Sequence, residues 1–121
     1  MALDYLDFDL SGDVDGRGSF DAMASVAPGQ LAALESEVLQ VLDWAERSFG
    51  PAAPLDEGGE WDFALHAVRE VATPLTVRYV PGAARLQMDP GVADPPRVTL
   101  TLTLTGTETF CDAFRAAFAV G

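Results

Sequence analysis

Hydrophobic and polar residues alternate with a period of two in six stretches of this chain, and with a period near 3.6 in two others. The first alternation predicts half-buried strands and the second predicts amphipathic helices. Leu6, Phe8 and Leu10 share one face, with Asp7 and Asp9 opposite. Phe20, Ala22, Ala24 and Val26 repeat the pattern, with Asp21, Met23 and Ser25 opposite, and the two segments are expected to pair as an antiparallel hairpin. A two-residue Asp15-Gly16 turn would set Leu10 opposite Asp21 and mix the faces, so the connection needs either a bulge or an odd number of residues. A three-residue loop Gly16-Arg17-Gly18, with Gly18 in the left-handed conformation, keeps the faces matched.

Pro28 stands at a helix start, where its missing N–H costs nothing, and Gly50-Pro51 supplies a stop. Between them Leu31, Leu34, Val38, Val41, Leu42, Ala45 and Phe49 form an apolar stripe, with Gln30, Glu35, Glu37, Gln40, Asp43, Glu46 and Arg47 largely off it. A helix of that length reaches about 33 Å, enough to cross a sheet. After a Pro-, Gly- and acid-rich loop from Gly50 to Gly59, four further strands are predicted. Their apolar faces are Trp61/Phe63/Leu65/Ala67, Leu75/Val77/Tyr79, Ala84/Leu86/Met88 and Val98/Leu100/Leu102/Leu104. Thr73-Pro74, Pro81-Gly82 and Asp94-Pro95-Pro96 separate them. Thr99, Thr101, Thr103 and Thr105 give the last strand a β-branched outer face that favours extended chain. Thr105-Gly106-Thr107-Glu108 reads as a capping box opening a second helix, whose stripe is Phe110, Phe114, Ala117 and Phe118 with Cys111 alongside.

The order β-β-α-β-β-β-β-α predicts an α+β two-layer sandwich. A mostly antiparallel sheet of about six strands would carry two helices packed on one face. The 121 residues fit a single domain, 1-121, able to bury roughly two thirds of the surface of its unfolded chain. Trp61 is expected in the core, and Trp44, toward the edge of the first helix stripe, partly exposed.

Charge narrows the function classes. Seven Arg, no Lys and nineteen Asp plus Glu leave a net charge of −12. Nucleic-acid binding, which depends on neutralising phosphates, is disfavoured, and so is docking on an anionic membrane. With 49% hydrophobic residues the chain has the means to form a core, unlike an acidic disordered tail. The absence of Ile, Lys and Asn beside abundant Ala, Gly, Asp and Arg suggests a GC-rich bacterial genome. Cys111 is the single cysteine, the first residues lack the basic and apolar regions of a signal peptide, and no apolar run approaches the ~18 residues that span a bilayer. A cytoplasmic location is the expectation.

Candidate chemistry is sparse. Ser11, Asp13, Asp15 and Gly16 match the first half of a calcium loop, which takes ligands at its first, third and fifth positions and glycine at its sixth. The twelfth position, where a bidentate Glu belongs, is Ala22, and both flanks read as strands. Asp21, one residue early, is the remaining ligand a differently shaped site could use. Ser11, Asp13, Asp15 and Asp21 are thus the weak metal candidates, set against an ordinary solvated acidic loop. His66 is the only imidazole and shares the outer face of its strand with Asp62, an arrangement that would suit a His-carboxylate pair, but no nucleophile motif accompanies it. Asp7, Asp9, Asp21 and Asp62 all face away from the helices and could act as acid/base pairs, or merely guard the sheet against aggregation. No cofactor motif is present: Gly16 and Gly18 lack the third glycine and the following helix of a phosphate loop.

The leading expectation is a non-enzymatic protein-interaction or regulatory module that offers its acidic sheet face and first hairpin to a basic protein partner, with a homodimer as a further association. The alternative class is a metal-dependent or carboxylate enzyme acting on a small substrate. An enzyme would gather Asp and His into a concave pocket, and an interaction module would present a broad open surface.

Overall fold

The computed structural model describes residues 3–12 and 15–120. Six strands and two helices follow in the predicted order: β1 (Asp9–Gly12), β2 (Gly18–Val26), α1 (Leu31–Phe49), β3 (Trp61–Glu70), β4 (Leu75–Tyr79), β5 (Leu86–Pro90), β6 (Arg97–Gly106) and α2 (Glu108–Phe118). The fold is α+β and every strand pairing is antiparallel. The six strands divide into a four-stranded sheet of order β1-β2-β6-β3 and a two-stranded sheet β4-β5.

In the four-stranded sheet the alternation puts Phe20, Ala22, Ala24 and Val26 of β2 and Leu102 and Leu104 of β6 on the helix side, all buried. The helices close this face with aromatic side chains. Phe114 of α2 meets Phe20 at 4.7 Å and Phe8 at 5.1 Å, and Trp44 of α1 meets Phe118 at 5.4 Å. Such pairs add about 0.5–1.5 kcal/mol each beyond the area they bury. Trp61 is buried, its indole N–H donating to the carbonyl of Gly50 at 2.8 Å, and Trp44 is partly exposed. Trp61 lies across the ladder from Gly106, and the Phe110 ring stacks parallel to it at 5.9 Å. Gly106 permits this, because a Cβ there would collide with the Phe110 ring.

Local chemistry differs from the sequence reading at three points. The first hairpin pairs Leu10 with Phe20 and Gly12 with Gly18, so residues 13–17 connect the strands. The connection is odd-numbered, as parity demands, but longer than the predicted Gly16-Arg17-Gly18, and Gly16 rather than Gly18 takes the left-handed conformation (φ 81°). The second correction concerns α2, whose cap is Thr107. Its hydroxyl accepts from the Phe110 N–H at 3.3 Å, while Thr105 stays in β6, so the predicted Thr105/Glu108 capping box does not form. A Ser/Thr hydroxyl caps by reaching the amide three residues on, and Thr107 satisfies that spacing with Phe110.

Glu37 is the third. Assigned to the solvent side of the first helix, it is buried, and its carboxylate accepts backbone N–H bonds from Asp4, Tyr5 and Leu6 at 2.9–3.1 Å. Ladder pairing to β2 begins only at Asp9, so these amides find their partner in a side chain instead. That tether delivers Leu6 and Phe8 to the core ahead of the strand.

β3 through β6 form one long antiparallel ribbon that outruns the sheet. β2 ends at Val26, opposite Val98, whereas β3 and β6 pair out to Glu70 and Arg97. Beyond them the Asp94 N–H donates to the Ala72 carbonyl and the Gly91 N–H to the Pro74 carbonyl, both at 2.8 Å, leading into the Leu75–Pro90 pair that opens β4-β5. From Glu70 to Leu75 the outgoing strand takes five steps, and from Pro90 to Arg97 the returning strand takes seven. An excess of two residues keeps the parity of the faces. Residues 69–97 thus form an arm, about 40 Å from base to tip if extended.

Candidate functional site

The sheet face opposite the helices is bare, and its rows can be read from the register. Ser11, Ser19, Thr105 and Asp62 form the row nearest the first hairpin, followed by Asp9, Asp21, Thr103 and Ala64. Met23, Thr101 and His66 come next, and Ser25, Thr99 and Val68 complete the face toward the arm. The face is therefore polarised. Carboxylates cluster at the hairpin end, and Met23 (67% exposed) and Val68 supply apolar surface at the other. Asp9 and Asp21 stand directly across the ladder from each other, an arrangement of like charges that costs stability. The Thr103 hydroxyl donates to Asp21 at 2.7 Å and takes up part of that charge.

A shallow depression of about 490 Å³ lies at the hairpin end, lined by Ser11, Ser19, Thr105, Asp62, Arg17 and Asp56 among others. Arg17 and Asp56 form an ion pair across 3.1 Å, and Asp56 is almost wholly in solvent, so the pair adds at most a few tenths of a kcal/mol. It ties the first hairpin to the loop before β3. The depression thereby gathers hydroxyls and one unbridged carboxylate, that of Asp62.

The sequence candidates for metal binding distribute as follows. Ser11 and Asp21 are exposed and lie in adjacent rows of the sheet, Asp15 is exposed in the connection, and Asp13 lies outside the described residues. Among the described residues no three His, Cys, Asp or Glu side chains come together as a ligand set. The His66-Asp62 pair does not form. The two residues are four apart along β3, about 13 Å between their α carbons, and the Asp62 carboxylate accepts from the Phe63 N–H at 2.9 Å. Cys111 is buried at the start of α2, its thiol 3.6 Å from the Gly106 carbonyl and packed against Gly18.

One surface escaped the sequence reading. Phe63 and Leu65 lie on the helix side of β3, across from Leu104 and Leu102, and are nevertheless 41% and 47% exposed. The helices cover β3 only at its Trp61 end. Alternation identifies the inner face of a strand; it carries no signal of how far a helix extends over it.

Among the described residues no helix is long and apolar enough to cross a membrane. Comparison of the chain with protein-family models, with curated proteins and with solved structures gave no match.

Proposed function

We propose that the protein is a non-enzymatic interaction or regulatory module that receives a basic protein on the open face of its sheet and on its first hairpin. The observation that carries this reading is the polarised face, with the opposed Asp9 and Asp21 at one end and exposed Met23 and Val68 at the other. Protein interfaces combine an apolar patch with a polar, charged surround. A cationic partner would also relieve the repulsion between the two aspartates. The surface is broad, and Asp62 and His66 stand about 13 Å apart along β3, which supports an interaction surface over a His-carboxylate site.

The reading is tested by affinity capture from a bacterial lysate with wild type, Asp9→Lys/Asp21→Lys and Met23→Arg baits at low and high salt. A basic polypeptide should be retained by wild type at low salt, and lost with high salt and with either variant. Capture indifferent to salt and to both variants would sink the proposal. So would substrate turnover by the wild type that disappears in Asp62→Asn or His66→Ala.

A further inference from the structure

We infer that the β-ribbon arm, residues 69–97, is a self-association element that docks on the bare helix-side strip of β3 in a second copy of the chain. This surface is distinct from the acidic face and the inference does not depend on that face having a partner.

The arm is an amphipathic ribbon whose apolar side is covered by no described residue. In register, Leu75, Val77 and Tyr79 of β4 oppose Pro90, Met88 and Leu86 of β5, while Thr76 and Arg78 oppose Asp89 and Gln87 on the other side. The Leu, Val, Met and Tyr side chains of that apolar face are all 50–75% exposed. A two-stranded ribbon alone in water is marginal at best and needs a surface to lie on. The body offers one of the same kind, the exposed Phe63 and Leu65 of β3.

Area and charge identify the occupant as a second copy. The chain exposes 7758 Å², whereas a folded monomer of 12.8 kDa exposes about 6,300 Å². The surplus of about 1,500 Å² falls within what each chain of an obligate dimer buries, about 1,000–2,500 Å². The arm carries Arg69, Arg78, Arg85 and Arg97 against Glu70, Asp89 and Asp94, a net +1, so the rest of the chain carries −13. Two bodies placed face to face would repel. An arm laid on the other body brings the least acidic part of one chain onto a body that carries −13. A two-fold axis then lets each chain give one arm and receive one, which closes the assembly and leaves no arm uncovered.

The test is the mass in solution by sedimentation over a wide concentration range. Wild type should sediment as a species of twice 12.8 kDa. Val77→Arg/Met88→Arg should raise the dimer dissociation constant at least ~100-fold by placing unpaired charge in the contact. Its body should stay intact, as judged by helical circular dichroism and by the fluorescence of Trp44 and Trp61. Arg69→Glu/Arg85→Glu leaves the apolar side chains in place. It should weaken the dimer about tenfold or more at low salt, and added salt should restore part of the affinity by screening. A wild type that stays monomeric throughout would overturn the inference, as would a dimer that survives Val77→Arg/Met88→Arg. A dimer broken by Met23→Arg and not by the arm variants would place self-association on the open sheet face and overturn it equally.

Discussion

Leu102 in β6 and Leu86 in β5 occupy equivalent places in the alternation of their strands, yet Leu102 is fully buried and Leu86 is half exposed. Both face the apolar side of an antiparallel pair, and each has a hydrophobic residue opposite, Leu65 for Leu102 and Tyr79 for Leu86. What separates them is cover. Over β2 and β6 the stripes of α1 and α2 supply Leu34, Val38, Val41, Phe110 and Phe114, all buried. Over β4 and β5 no described residue of the chain supplies cover, and both strands are exposed throughout. The period of a strand announces that one side must leave water, and leaves open whether the cover comes from this chain or another.

The widest gap between the two regions should appear in dilute solution, where the chain is monomeric. Leu104→Ala is expected to lower unfolding stability by about 2–5 kcal/mol, because it opens a cavity beneath the helices. Leu86→Ala should change it by less than about 0.5 kcal/mol, the usual range for a surface substitution. Urea melts of both variants decide the matter, and equal losses would show that the arm packs on its own body.

Glu37 sharpens the contrast from the side of the body. Glu37→Ala removes the acceptor of three backbone N–H groups at once and should cost about 2–3 kcal/mol in the same melts. A loss under half a kcal/mol would mean that water replaces the carboxylate without penalty. Thr107→Ala, which removes the cap of α2 together with the hydroxyl's bond to the Glu60 carboxylate at 2.6 Å, should cost about 1 kcal/mol. The three expected losses then rank as cavity, buried acceptor and cap.

Much of the body was legible in the residues themselves. The threonine-leucine alternation of β6 and the Gly50 stop of α1 led directly to the observed elements, while Pro28 opens a 3-10 turn, Pro28–Gln30, and α1 begins after it at Leu31. Parity left a bulge or an odd-numbered first connection, and the odd-numbered one is observed. The errors share a cause. Glu37 was placed by its position off the apolar stripe, yet its environment is set by the N-terminal segment, which reaches the helix from more than thirty residues away in sequence. Thr105 and Thr107 are both acceptable caps, and the choice between them depends on where β6 stops pairing with β2 and β3, at Gly106. In the candidate site Asp9, Asp21 and Asp62 lie on the outward face as expected, whereas Asp7 precedes β1 and is not part of it, and the opposition of Asp9 and Asp21 and the isolation of Asp62 from His66 follow from strand register. Local pattern contains the faces, and long-range pairing contains the neighbours.

The three N–H bonds to Glu37 also set an order of events. Until Glu37 is in place on α1, the amides of Asp4, Tyr5 and Leu6 bond to water, and the exchange for a carboxylate comes only when the segment docks on the helix. In the finished protein the dependence runs the other way. Exchange of those three amides with deuterated solvent requires the N-terminal segment to part from the Glu37 carboxylate, so they report how often that segment leaves the first helix.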